Sequence, residues 1–363
     1  MTNPEPSPSP QSPPKGRGAV GNPACRYSAA RTEVFDDGWQ REDEQAPVLR
    51  TTVEIDSTRS VLSYNESPDV PFDRSINPYR GCEHGCVYCF ARPTHAWLGL
   101  SPGLDFESRL FAKPRAANIL REELNRPGYR CAPVALGINT DAWQPVERER
   151  RITRDVLAVL AEARHPVSIV TKSALIERDL DLLADMAGQR LASVAVSLTT
   201  LDRKLARRLE PRAAAPQRRL ETIRRLSEAG IPVTVLMAPL IPVLNEAEIE
   251  DLLQAAAEAG AQAAGYVILR LPLEVHPLFE AWLAEHEPLK AQHVMSRVRD
   301  LRGGKVYDTR FGKRMTGEGV FAELIRQRFT LAARRLGLDR RLPELDCSRF
   351  RPPQPASGQM SLF

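Results

Sequence analysis

The chain has 363 residues, 42% hydrophobic and 26% charged, with a formal net charge of +4. That is a globular composition with room for one large or two smaller domains, and six cysteines over such a length exclude a disulfide-stapled secreted scaffold. No run of about 18 apolar residues exists, and the opening MTNPEPSPSPQSPP lacks a charged-then-apolar leader, so a reducing cytoplasm is the expected location.

Residues 1–24 contain seven prolines and almost no large apolar side chains, and residues 25–46 remain polar. Such a segment buries too little surface to offset its ordering entropy, so 1–46 reads as a disordered Pro/Ser-rich tail. Order is expected from the β-type run Val48 to Val53. Six short apolar runs then read as buried parallel strands: Ser75 to Tyr79, Val134 to Asn139, Val167 to Thr171, Ser193 to Leu198, Val233 to Ala238 and Tyr266 to Leu271. Amphipathic helical runs separate them. Arg151 to Arg164 carries Ile152, Val156, Val159 and Leu160 on one face, and Arg218 to Ala229 carries Leu220, Ile223 and Leu226. Asn245 reads as a helix cap with Glu248 at the third position.

This alternation predicts an α/β fold, a partial (β/α)6 barrel over residues 47–275, with a doubly wound sheet as the competing architecture. In either, ligands gather where strands run into their following loops. A helical extension over 276–345 follows, with Pro277 to Glu285 and Val320 to Leu336 as its helices. Residues 346–363 read as a flexible tail.

The first strand runs into a loop with the spacing Cys82-x3-Cys86-x2-Cys89, so half of the cysteines lie in eight positions. Three soft thiolates on a short loop suit a metal centre. Zinc would need a fourth ligand, His84 or His95. An iron–sulfur cube held by three cysteines leaves one iron without a protein ligand, an open catalytic position. Cys131 and Cys347 have no partner nearby in sequence.

The string Cys82-x3-Cys86-x-Tyr88-Cys89 resembles the signature of the radical S-adenosylmethionine enzymes. The resemblance implies a [4Fe-4S] cluster whose open iron chelates the methionyl amino and carboxylate groups of S-adenosyl-L-methionine. Reduction of the cluster would release a 5'-deoxyadenosyl radical that abstracts hydrogen from substrate. A flavodoxin or ferredoxin-type reductant would supply the electron. On the family plan Tyr88, Asn139, Lys172 and Ser197 become candidates around the cofactor, with Lys172 a point charge for the methionyl carboxylate. Asp141, Glu210, Arg212 and Arg270 lie at other strand ends, and Met237 reads as core. Arg270 would meet either an anionic substrate or a neighbouring carboxylate. The family's Gly-Gly-Glu after strand two is replaced by Gly137-Ile138-Asn139-Thr140-Asp141.

The segments Ile76-Asn77-Pro78-Tyr79-Arg80-Gly81-Cys82 and Thr140-Asp141 look like the spore photoproduct lyase-like, or DNA repair photolyase-like, branch. That implies a nucleic-acid substrate, in DNA lesion repair or modification. The lyase returns a hydrogen atom from a cysteine near the end of strand two, and Ile138, Asn139 and Thr140 stand there instead. A protein, RNA or small-molecule substrate is the alternative within the family, and a zinc-stabilised binding module the alternative outside it. Of 50 basic residues only seven are lysine, and clusters such as Arg203-Lys204 and Arg334-Arg335 read as solvated helix faces. The segment Gln359 to Phe363 resembles the Q-x-x-L-F peptide that binds the bacterial sliding clamp, which adds that clamp as an expected partner.

Overall fold

A computed structural model describes residues 15–27 and 49–354. The clamp-like peptide Gln359 to Phe363 lies outside the described residues.

Six strands form the body of one sheet: β1 Arg74–Ile76, β2 Val134–Leu136, β3 Val167–Thr171, β4 Ala192–Ser197, β5 Val233–Leu240 and β6 Ala263–Ile268. Each pairs in parallel with the next one in sequence, so the spatial order is the chain order. A βα chain wound this way makes a barrel wall. Here the wall stays open, because β6 ends one edge and the antiparallel strand Leu62–Tyr64 caps β1 at the other. The fold is the expected α/β partial barrel. A small second sheet joins Thr52–Ile55, Arg109–Ala112 and Tyr79–Arg80 beside it.

Helices α1 Ala116–Leu124, α2 Ile152–Glu162, α3 Leu180–Gly188, α4 Pro216–Glu228 and α5 Ile249–Glu258 lie in the connections. Their apolar residues recur at helical spacing, as Ile152, Val156, Val159 and Leu160 do on α2, and all four are buried. Leu183 and Met186 of α3, Ile223 and Leu226 of α4, and Leu252 and Leu253 of α5 join the same core with the strand side chains Val194, Val196, Val233 and Val235. Pro216 opens α4, where its missing N–H would have had no intrahelical partner.

Beyond the barrel come α6 Val275–His286, α7 Ala291–Asp300 and α8 Val320–Arg335. Helices α6 and α7 share a second core with Cys86, Val87, Tyr88, Leu205 and Leu209. The extension therefore packs directly on the cysteine loop. Helix α8 lies against α5, with Arg328 reaching Glu250 at 2.6 Å.

Three differences from the sequence reading stand out. Strand six begins at Ala263, three residues before the apolar run, because Ala263-Ala264-Gly265 pairs with Thr234, Val235 and Leu236. Within 1–46, read as a disordered tail, residues 15–27 fold onto the barrel, with Ala19 fully buried. Within the tail read as flexible, Asp346 donates its N–H to Arg190 O at 2.9 Å and Arg351 to Ala163 O at 2.9 Å. Hydrogen bonds to distant partners order both segments, through Glu107 for the first and through Arg190 O and Ala163 O for the second, and apolar content does not register them.

Candidate functional site

The cysteine loop leaves the carboxyl end of β1. Cys82 donates its N–H to Phe106 O at 2.9 Å, Gly85 to Cys82 O at 3.3 Å and Cys89 to Cys86 O at 3.2 Å. These short turns gather three thiols on one loop. Gly85 has φ +68°, and a Cβ there would lie 2.7 Å from Glu107 Oε2, so only glycine suits the bend. Burial raises all three thiols above their ordinary range; at Cys82 the Asp141 carboxylate and the other two thiols add to it. Soft, desolvated donors crowded in this way are stabilised when metal takes their protons.

Among the described residues no three His, Cys, Asp or Glu side chains close on one point, as zinc with ligands at about 2.0–2.3 Å requires. Both proposed zinc histidines keep a buried Nδ1 without a hydrogen-bond partner among the described residues. His95 Nε2 lies 2.9 Å from Arg109 O, and His84 Nδ1 lies 3.4 Å from Asp141. Burial holds His84 down at about 4, although Asp141 opposes the shift. Three cysteine thiols on one loop are donors of the kind that iron–sulfur clusters use.

Arg92 supports the loop from below. It is fully buried and donates to Cys86 O at 2.9 Å, Gly85 O at 3.2 Å and Glu107 Oε1 at 2.5 Å. Glu107 also accepts the backbone N–H groups of Gly18 and Ala19, both at 2.8 Å. The N-terminal segment thus docks on the carboxylate that holds the loop's arginine.

Across the mouth, the neighbouring strand ends bring in charged and hydroxyl groups. Lys172, after β3, donates to Ser197 Oγ at 2.6 Å and Ala238 O at 3.2 Å, and lies 3.2 Å from Glu210 Oε1. Its ammonium sits 5.6 Å over the Tyr88 ring. Burial brings Lys172 down to about 8. Tyr88 donates its hydroxyl to Glu210, which Thr199 Oγ1 also reaches at 2.6 Å. Arg219 from α4 grips the other oxygen of Glu210 and donates to Ser197 O at 2.9 Å. Burial raises the Glu210 carboxyl, and Arg219 pulls it back.

Tyr88, Lys172 and Ser197 are therefore brought together. Asn139 is not part of that group. Its side chain is exposed, and its N–H donates to Asn77 Oδ1 at 2.9 Å. Asp141 is a backbone organiser, accepting the N–H groups of Trp143 at 2.9 Å and Lys172 at 2.7 Å. Met237 packs in the core. Glu210 belongs to the constellation, whereas Arg212 pairs with Glu83 at 3.0 Å. Arg219, Thr199, Arg92 and Glu107 were missed. Their neighbours in sequence carry no pattern that sets them apart. Cys131 precedes β2 at the far end of the barrel beside Cys347, and burial with that neighbour pushes its thiol up to about 12.

Residues 76–256 match the model of the Radical SAM superfamily. The chain belongs to that superfamily. Among this radical SAM enzyme's relatives, an uncharacterized protein of Mycobacterium tuberculosis is 40% identical over 234 residues, 64% of this chain and 68% of that one. An uncharacterized protein of Methanocaldococcus jannaschii is 27% identical over 175 residues, 48% of this chain and 62% of that one. Spore photoproduct lyase complexed with dinucleoside spore photoproduct shares the fold with a TM-score of 0.56 at 14% identity, over 78% of this chain and 79% of that one. A mutant of the same lyase with bound AdoMet and dinucleoside spore photoproduct superposes with a TM-score of 0.53 at 14% identity, over 78% of both chains. No described helix of this radical SAM enzyme is long and apolar enough to cross a membrane.

Proposed function

We propose that Cys82, Cys86 and Cys89 hold a [4Fe-4S] cluster with one iron left open for S-adenosylmethionine, and that the substrate is a nucleic acid carrying a lesion or a base to be modified. The observation that carries the reading is the placement of three thiols on the loop after β1, Cys82 and Cys86 buried and Cys89 half-buried, across from the Lys172 ammonium. When bound and reduced, the cluster and cofactor supply a 5'-deoxyadenosyl radical for hydrogen abstraction.

The chain's own groups do the positioning. Lys172, fixed by Ser197 Oγ and Ala238 O, presents a cation to the methionyl carboxylate. Glu210 balances that cation in its resting state. Tyr88, held by Glu210 and Thr199, keeps its ring beneath the ammonium. Asn139, exposed on the loop after β2, offers its amide to a cofactor hydroxyl. The barrel wall and α6 exclude water behind the loop.

The fold shared with spore photoproduct lyase supports the nucleic-acid reading. The stretch Gly137 to Thr140 offers no cysteine, and Cys131 lies at the other end of β2. The hydrogen return therefore uses a different donor from a cysteine at that place. The domain plan follows: residues 47–275 carry the chemistry and 276–345 brace the loop from the side. A flavodoxin or ferredoxin-type protein supplies the electron in the cytoplasm. The peptide Gln359 to Phe363 docks on the sliding clamp, and its removal abolishes retention in a clamp pull-down.

Anaerobic purification tests the reading. A brown protein with about four irons and matching sulfide, which cleaves S-adenosylmethionine reductively and loses this with Cys86→Ala, is the expected result. A colourless protein with a single zinc overturns it.

A further inference from the structure

Arg270 follows β6 at the mouth of the barrel, and its surroundings are unusual for a guanidinium. Its contacts are neutral: Met315 Sδ at 3.5 Å, Tyr307 Oη at 3.3 Å and the Phe90 ring, whose centroid is 5.2 Å away. Its Nε is buried without a hydrogen-bond partner among the described residues. The acids of this region are held by other cations. Asp69 pairs with Arg314, Asp308 with Arg310, and Glu318 with Arg310 and Lys313. Arg270 makes no ion pair among the described residues.

A second guanidinium lies behind it. Arg302 is 1% exposed and gives its terminal nitrogens to carbonyls, Lys313 O at 2.9 Å and Leu269 O at 2.8 Å. Its Nε is also buried without a partner. Burial and the proximity of Arg270 bring Arg302 down to about 10. Two cations held together, one of them buried and neither in direct ion-pair contact with a carboxylate, with Asp69 and Asp308 acting on them only at longer range, are stabilised by an anion arriving from outside.

The ring beside Arg270 narrows the anion. Phe90 directly follows Cys89 and is 39% exposed. A free carboxylate or inorganic ion would use the cation and leave this ring in water. A nucleotide uses both, its phosphate on the guanidinium and its base on the aromatic face. We propose that Arg270, with Arg302 behind it and Phe90 beside it, is the phosphate-binding subsite that seats a nucleotide next to the cysteine loop. The proposal rests on the nucleic-acid reading above for its substrate class and adds the residues that recognise it.

The phosphate can belong to a phosphodiester strand or to a free nucleotide. Anaerobically purified full-length protein is titrated with a labelled single-stranded oligodeoxynucleotide, thymidine monophosphate and inorganic phosphate, each over a salt series. Arg270→Ala weakens binding about tenfold to a hundredfold and lowers the salt slope by about one. Arg270→Gln keeps the stem to Cδ and a polar end without the charge and shows the same loss, which covers the case in which Arg270→Ala does not fold. Phe90→Ala weakens oligonucleotide and monophosphate binding about tenfold and leaves inorganic phosphate unchanged. Arg334→Ala, on the exposed end of α8, binds as wild type. Tight oligonucleotide with weak monophosphate binding assigns the site to a strand; the reverse assigns it to a free nucleotide. Wild-type protein that binds none of the three probes, or Arg270 variants that bind like wild type, overturn the subsite. Reductive cleavage of S-adenosylmethionine in the same preparation separates this failure from failure of the radical reading.

Discussion

Glu210 and Arg219 form an ion pair with side-chain exposures of 0% and 2%, and it joins the loop after β4 to helix α4 directly behind the cysteine loop. Tyr88 and Thr199 share the same carboxylate, so one acid couples the cysteine loop to two strand ends and a helix. Breaking such a pair leaves a desolvated charge, which costs about 3–5 kcal/mol. Arg219→Met should lose stability in that range in anaerobic denaturant unfolding. A loss under about 1 kcal/mol would show that water reaches the pair.

The N-terminal segment should be separable from the barrel by one methylated position. A Cβ on Gly18 would overlap the Gly85 carbonyl oxygen, a backbone atom that cannot rotate away. Gly18→Val therefore expels residues 15–27 from Glu107, whose carboxylate then holds Arg92 without the two backbone donors. Limited proteolysis should cut the variant within 15–27 faster than wild type, and cluster absorbance should bleach sooner in air. Equal cleavage and equal bleaching would mean that the segment docks without Gly18.

The legible and illegible parts of this molecule differ in physical kind. Val167 to Thr171 is visible in sequence because a buried parallel strand is a continuous apolar run, and it is the observed strand. Ala263 to Gly265 is invisible because small side chains carry no pattern, and only pairing with β5 makes it a strand. The cysteines announce themselves by spacing. Arg219 does not, since it sits on α4 among Arg218, Arg224 and Arg225, which face Glu177 and Glu221 on the surface. Helix rotation alone sends Arg219 inward, and that angle is set by Ile223 and Leu226 packing against the sheet. The segment 15–27 was unreadable for a related reason, because polar partners far along the chain order it.

Lys172 can be tested apart from the cluster. Lys172→Met keeps most of the stem and removes the ammonium that Ser197 and Ala238 aim across the mouth. Losing a charged hydrogen bond to the methionyl carboxylate should weaken S-adenosylmethionine binding about tenfold or more, measured by equilibrium dialysis, with iron content unchanged. An unaltered dissociation constant would remove Lys172 from the cofactor site.

His165 lies far from that chemistry and should dominate part of the acid sensitivity of the fold. It is fully buried, with Nε2 2.8 Å from Tyr129 Oη and Nδ1 3.0 Å from Pro166 O, the arrangement of a neutral ring. Burial, aided by the Arg74 cation, holds it at about 4 against an ordinary 6.5. Between those values the unfolded chain binds a proton that the folded chain refuses, so stability falls as pH drops through this window. The shift implies a loss of about 2 kcal/mol between about pH 7.5 and pH 5. His165→Gln does not titrate. Its unfolding free energy should be lower than wild type at neutral pH, and the gap should close as pH falls to about 5. Parallel stability profiles for the two proteins would show that His165 takes up its proton equally in the folded and unfolded chain.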